Sequence, residues 1–426
     1  MHAAYVKRHL PVRLADYVDV DHFHYLRRYR CRLTGPMSID EFIDGQPQNK
    51  KKKYLNVVAQ QPRNTIDPLV KVELTRVDKY KAPRVVQARH ASWLLAVGRF
   101  TKKLEHTVYA RDRQRRWFNF AKGYTQKELA NILVEKLNKF ERPRIICYDH
   151  TSFDGHVTHE MTRRFFTFVA RCFPDEYRTK ISEFCRGQTY NKVKKYGLRF
   201  QYKGTVCSGD ITTSFQDCLT NYCFLRAALA DQNIKKYELL VNGDDSVVII
   251  EASARFDTQR SLKFFRTCNM ETKIEVDSTR VEDLEFCQLL LRNTAVGPMM
   301  VHKPERLQQR YGMTHRAYHM TRDDYQHALA YAYMHLYKQT GLESPFVELH
   351  THYCINRDKC WTRFESVLNK DPDLAWLVKE GWERTSGPTL ARLTLRDAEP
   401  YHVPIHVRTE LSRYEVDHIR ERHFAH

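Results

Sequence analysis

Apolar runs along the chain switch between strand-like and helix-like spacing, which predicts a mixed α+β protein. Arg144-Ile145-Ile146-Cys147-Tyr148 reads as a short buried strand that runs into Asp149. Leu239-Leu240-Val241 and Val247-Val248-Ile249-Ile250 flank Gly243-Asp244-Asp245-Ser246 and predict a β-hairpin, with Asn242-Gly243 a favourable turn. Leu129, Ile132, Leu133, Leu137 and Phe140 form one helical face over 126–140, and a second helix is expected over 160–173. Ser208-Gly209-Asp210 reads as a turn opening a helix through Phe215, Leu219, Phe224, Leu225 and Leu229. Arg186-Gly187-Gln188 and the alternating stretch 198–202 predict a hairpin leading into that turn. Beyond about residue 305 the pattern is helical, clearest over 323–337 and 373–381, with Gly387-Pro388 and 400–404 as turn punctuation.

Composition narrows the class. The chain has 426 residues, 42% of them hydrophobic, enough for more than one core. Lys and Arg total 70 against 51 Asp and Glu, a formal charge of +19, which suits a polyanionic partner. The cations cluster at Lys50-Lys51-Lys52-Lys53, at Lys79, Lys81, Arg84 and Arg89, and at Arg111, Arg113, Arg115 and Arg116. Many of these positions belong to solvated faces. The Arg116-Trp117 junction reads equally as a base-stacking platform or as the core and rim of a helix. No apolar run is long enough to cross a bilayer and the N-terminus lacks a signal-peptide core, so a soluble chain is expected. Eleven scattered cysteines suit a reducing compartment. His350, His352, Cys354 and Cys360 do not have the spacing of a zinc knuckle.

The candidate chemistry lies in the acidic residues. Asp244 and Asp245 sit side by side at a hairpin tip, where they repel each other unless a cation neutralises them. Acidic turn residues also commonly just face water. Asp149 ends a strand upstream and Asp154 follows it; Asp149 equally suits a helix N-cap ahead of Thr151-Ser152. If that strand pairs beside the hairpin, Asp149 and Asp244 can hold two divalent ions about 3.5–4 Å apart, as in-line phosphoryl transfer requires.

The order of carboxylate strand, Ser-Gly turn with helix, and Gly-Asp-Asp hairpin resembles the palm of viral RNA-dependent RNA polymerases, in particular the tombusvirus-like group of positive-strand RNA viruses. Asp149-His150-Thr151-Ser152-Phe153-Asp154 resembles motif A, which implies that Asp149 binds both metals and Asp154 senses the ribose. Ser208, Gly209 and Thr213 resemble motif B, which supports the template and the nascent base pair. Gly243-Asp244-Asp245 resembles motif C, with Asp244 the principal metal ligand and Asp245 an auxiliary one. Phe286-Cys287-Gln288 is similar to motif E, the grip on the product strand. Ala82-Pro83-Arg84-Val85-Val86-Gln87-Ala88-Arg89, followed by Gly98-Arg99-Phe100, resembles motif F, implying that Arg84 and Arg89 roof the triphosphate. Met37-Ser38-Ile39-Asp40-Glu41-Phe42 is similar to a stretch near the template entrance.

The resemblance implies a right-hand fold of fingers, palm and helical thumb around a single-stranded RNA template. The expected division is an N-terminal segment and fingers at 1–143, palm at 144–180, a fingers insertion at 181–206, palm again at 207–304 and thumb at 305–426. Residues 1–35, basic and aromatic, are expected to wrap another subdomain. The implied activity is RNA-directed RNA synthesis from ribonucleoside triphosphates with two Mg2+ ions, Mn2+ substituting. Initiation without a protein primer, a separate membrane-anchoring viral protein and host cytoplasmic replication complexes on membranes are implied too. Lys273 is the candidate general acid for the pyrophosphate, although an idle solvated lysine fits the position as well. Asp217 stands where the family has Asn, with Asn221 one turn later. An ionised Asp cannot donate the hydrogen an amide would give Asp154. A reverse transcriptase would normally carry Tyr-x-Asp-Asp at the hairpin, and a non-catalytic RNA scaffold has no need of clustered carboxylates.

Overall fold

The computed structural model describes residues 10–71, 84–195, 198–303, 321–338 and 340–355, together with Leu307, Tyr311 and Leu374. The protein is of mixed α and β structure and divides into two compact units, one taking in residues up to Tyr124 with Ile132–Cys287, the other Thr125–Asn131 with the chain from Gln288 onward.

In the first unit, helix α1 (Ile39–Asp44) starts at a capping box in which Ser38 and Glu41 satisfy each other's backbone N–H groups. The four lysines lie in α2 (Gln48–Leu55). Strands β1 (Thr65–Val70) and β2 (Val85–Arg89) follow, then α3 (Ala91–Gln114), the longest helix among the described residues, and α4 (Gln126–Leu137), which crosses the division between the units. Strand β3 (Pro143–His150) is the predicted carboxylate strand. It leads through the short α5 (Phe153–His156) into α6 (His159–Ala170) and α7 (Arg178–Thr189). Arg186-Gly187-Gln188 therefore closes a helix instead of forming one arm of a hairpin. The hairpin itself is β4 (Tyr190–Lys195) with β5 (Leu198–Lys203).

The expected helix after the Ser-Gly turn is α8 (Thr213–Asp231), followed by the hairpin β6 (Tyr237–Asn242) and β7 (Asp245–Glu251), then α9 (Thr258–Thr267) and β8 (Thr272–Ser278). Two four-stranded sheets result, ordered β2-β1-β4-β5 and β6-β7-β3-β8. The second is antiparallel throughout. Alternate residues Ile146, Tyr148, Leu239, Val241, Val248 and Ile250 share one buried cluster with Phe215, Leu219 and Tyr222 of α8 and Phe265 of α9. Burial of that apolar area, at about 25 cal/mol per Å2, is what holds α8 beneath the hairpin.

The described part of the N-terminal segment, from residue 10, packs along this core. Val12 N–H donates to Gly155 O, Val18 N–H to Thr267 O and Leu33 N–H to Cys172 O. Tyr29 is buried and donates its hydroxyl to Asp112 at 2.7 Å. Arg116 and Trp117 lie beyond the end of α3, so they are not the core and rim of a helix, and Arg28 stacks on the half-buried Trp117 ring at 3.6 Å.

In the second unit, β9 (Leu289–Thr294) and β10 (Gly297–His302) form a hairpin, and α10 (Arg322–Leu336) and α11 (Ser344–Ile355) follow. Met299 and Val301 share a core with Leu329, Leu336 and Phe346, which joins the hairpin to the helices of this unit. His350, His352 and Cys354 lie on α11, while Cys360 is outside the described residues, as are Lys79, Lys81, Ala82, Pro83 and, Leu374 apart, the helix expected over 373–381. Among the described residues no helix is long and apolar enough to cross a membrane.

Candidate active site

The two carboxylate-bearing strand ends meet in one sheet. Strand β3 lies between β7 and β8, with Tyr148 opposite Ser246 and Asp149 opposite Lys273. Asn242 pairs with Asp245 across the hairpin, leaving Gly243 and Asp244 as its two-residue turn. Asp149 and the Asp244-Asp245 pair are thereby carried to the same end of adjacent strands. Their mutual field is visible in the acidities. Burial, then the repulsion of Asp149, raises Asp244; burial, then Asp244 and Asp149, pushes Asp245 up to about 7.

These are hard oxygen donors of the kind magnesium takes, reachable from solvent and mutually repelling, so the donor chemistry fits a divalent ion. Among the described residues no three His, Cys, Asp or Glu side chains already close on one point. The acidic groups are gathered along the strand ends without being drawn together. Arg84, exposed just before β2, is the cation whose field lowers both Asp154 and Asp244. A second cation went unnoticed in the sequence: Lys122 follows Phe120, which bridges to Val241, and its charge acts on Asp217 and Cys287. No motif marks Lys122.

Asp154 lies in the first turn of α5 and Asp217 on α8, close enough for their carboxyl groups to act on each other. Burial raises the pKa of both, and Asp154 raises that of Asp217 further while Asp217 lowers that of Asp154, which favours the proton on Asp217. A protonated Asp217 donates an O–H where the family's Asn would donate an N–H. Asn221 does not take over that position. Its amide is turned toward the hairpin, donating to Gly243 O at 2.9 Å and Asp244 O at 3.1 Å.

Several expected site residues have structural duties instead. Arg89 does not roof an open channel: its side chain is 0% exposed and pairs with Asp210 at 2.6 Å. It also donates to Asn64 O, Gly187 O and Asn191 Oδ1. An isolated buried cation would be costly, and these partners commit its charge to joining β2, β4 and the Ser-Gly turn. Ser208 Oγ accepts from Gln87 N–H at 3.3 Å. Gly209 donates its N–H to Gln87 O and approaches β2 so closely that a Cβ would stand 2.7 Å from that oxygen. Only glycine fits there. Thr213 donates to Cys207 O at 2.7 Å and Asp210 O at 3.1 Å, closing the turn.

The three residues similar to motif E differ in exposure. The Phe286 side chain is buried. Cys287 accepts from Asn242 Nδ2 at 3.0 Å and hydrogen-bonds Asp245, tying it to the hairpin. Gln288 is exposed, and it shares with Cys287 a left-handed backbone, φ 64° and 51°. Lys273 is exposed opposite Asp149, and no ion pair joins the two among the described residues.

A strand-borne aspartate beside a Gly-Asp-Asp hairpin, backed by a helix that follows a Ser-Gly turn, is the framework expected of a template-directed polymerase. The family model described as viral RNA-dependent RNA polymerase matches residues 45–362, and the chain belongs to that family. Among its relatives are RNA-directed RNA polymerases of Oat chlorotic stunt virus, 28% identical over 60% of this chain, and of Carnation mottle virus, 27% identical over 66%. That of Tomato bushy stunt virus is 28% identical over 49%. The matched stretches span 36%, 38% and 26% of those relatives, so the chain corresponds to well under half of each.

Proposed function

We propose that this chain carries the polymerase centre that copies the genome of a positive-strand RNA virus, adding ribonucleotides to RNA on a single-stranded RNA template. The observation that carries the reading is the meeting of Asp149 with Asp244 and Asp245 at one end of β3 and β7, in a chain of this family. The sheet β6-β7-β3-β8 with α8 and α9 is the palm in this reading, the sheet β2-β1-β4-β5 with α3 and α7 belongs to the fingers, and the C-terminal helices belong to the thumb.

Asp149 and Asp244 hold two magnesium ions, assisted by Asp245. The chemistry those ions supply when bound is activation of the primer 3′-hydroxyl and neutralisation of the departing pyrophosphate. Arg84 offers positive charge to the triphosphate from the rim. The Asp154–Asp217 pair can both accept from and donate to a ribose 2′-hydroxyl. Lys273 is positioned on an exposed strand from which it can protonate pyrophosphate. The partners of this reading are template and nascent RNA, ribonucleoside triphosphates, and a separate viral protein that anchors the polymerase at cytoplasmic membranes.

The test is incorporation of labelled ribonucleotides by the purified chain on an RNA template with Mg2+ or Mn2+. Wild type should extend RNA and prefer ribo- over deoxyribonucleotides, whereas Asp244→Ala should lose synthesis and still bind RNA. Equal incorporation by both would reject the assigned centre.

A further inference from the structure

Asn221 is 0% exposed, in the middle of a helix whose neighbours Leu219, Tyr222, Cys223 and Leu225 are all buried. A buried amide is costly unless its hydrogen bonds are met, and an apolar residue would pack there without that demand. Here all of them are met. Nδ2 donates to the carbonyls of Gly243 and Asp244, the two residues of the hairpin turn. Oδ1 lies 3.1 Å from His150 Nε2. Because the amide nitrogen is committed to two carbonyls, Oδ1 is the acceptor and His150 must carry its hydrogen on Nε2. His150 Nδ1 then accepts from Thr272 Oγ1 at 2.8 Å on β8. One turn earlier on α8, Cys218 Sγ accepts the Gly243 N–H at 3.1 Å, so the helix grips the turn at both its N–H and its carbonyls.

The path therefore runs from the residue after Asp149, through one amide, to the backbone of Asp244. Without a cation, Asp149 repels Asp244 and Asp245 and tends to lift the hairpin tip away from β3. The hydrogen bonds through Asn221 oppose that displacement. We propose that Asn221, held by His150, is a positioning residue that fixes where Asp244 stands relative to Asp149 and thereby sets divalent-ion affinity at the centre. The inference rests on the reading of these aspartates as metal ligands. Groups one step removed from metal ligands typically change affinity by about 10–100-fold when removed.

The experiment measures Mn2+ binding to the full chain by electron paramagnetic resonance, without nucleotide or RNA, with Asp244→Asn marking binding that belongs to this site. Asn221→Asp is close to isosteric but aims an acceptor at two carbonyls, and it should weaken site-specific Mn2+ binding about tenfold or more. RNA affinity should be unchanged. Should Asn221→Asp fail to fold, the His150 pair carries the test: His150→Asn removes the hydrogen at the Nε2 position, whereas His150→Gln retains an N–H there. Mn2+ binding should fall with Asn and be largely kept with Gln. Unaltered Mn2+ affinity in folded Asn221→Asp, or equal affinities in the two His150 variants, would overturn the proposal. Wild type that binds Mn2+ through Asp244 but makes no RNA would remove the polymerase reading and leave this role intact. Wild type that makes RNA, with Asn221→Asp binding Mn2+ normally, would do the reverse.

Discussion

The carboxyl group of Asp217 acts on that of Asp154, and burial raises the pKa of both. The nearby Asp244 raises both further, while Arg84 on the Asp154 side and Lys122 on the Asp217 side lower them. The substitution that looks like a defect in the family pattern is thus compatible with the same hydrogen bond, carried by a proton in place of an amide.

A pH dependence of stability follows from this pair. Both pKa values are higher in the folded chain than in the unfolded one, so the folded state holds more protons and stability declines as pH rises through the folded range. Asp217→Asn removes the titrating partner and supplies a permanent donor. Its thermal unfolding temperature should exceed that of wild type at pH 8 by the equivalent of at least about 1 kcal/mol, one pKa unit of differential interaction. The advantage should shrink toward pH 5. Scanning calorimetry at the two pH values checks this, and ribose preference should be retained in the variant.

Divalent ions should stabilise the chain through the same aspartates. Burial and the charge of Asp149 hold the pKa values of Asp244 and Asp245 above the ordinary carboxylate range. At ten times the dissociation constant, Mg2+ should add about 1.4 kcal/mol to wild type. Asp244→Asn should lose most of that increment and, without metal, unfold at a higher temperature than wild type because one repelling charge is gone. Thermal melts with and without Mg2+ decide the matter.

Arg84 and Arg89, grouped together by the sequence pattern, should separate in experiment. Arg89→Met leaves Asp210 buried without its cation and should cost about 3–5 kcal/mol of stability. Arg84→Ala, at an exposed position, should stay within about 0.5 kcal/mol of wild type and instead raise the KM for nucleotide. Denaturant melts and steady-state incorporation distinguish the two.

These arginines also mark what the sequence could reveal. Strand β3 and the β6–β7 hairpin were legible because their buried residues are apolar and continuous. Strand β2 inverts the usual alternation: Gln87 and Arg89 point inward while Val86 and Ala88 are half-buried, so hydropathy assigns its faces the wrong way round. The long α3 was hidden for a different reason. Gly98 in its interior ordinarily argues against helix, but a Cβ there would stand 2.5 Å from the Phe42 ring, so close packing explains the residue. The Asp154–Asp217 and Asn221–His150 pairs join segments remote in sequence, and no local pattern encodes them.

Gly209 provides the sharpest test of how the Ser-Gly turn works. Its N–H donates to Gln87 O, its backbone bridges Ala88 in parallel fashion, and an added Cβ would lie 2.7 Å from Gln87 O and 2.8 Å from Ala88 Cα. Both clashing atoms are backbone, so relief requires moving β2 itself. Gly209→Ala should therefore cost about 1–3 kcal/mol, the usual penalty for overpacking. The displacement would also strain the Arg89–Asp210 pair, which joins the same strand to the same turn. Because Arg84 immediately precedes β2, moving the strand should shift its charge relative to Asp154 and Asp244. The expected result is a higher KM for nucleotide together with lower stability, whereas Ser208→Ala, which removes only the long hydrogen bond from Gln87 N–H, should have a smaller effect on both. Gly209→Ala with wild-type stability and KM would show that the close approach of turn and strand is not needed.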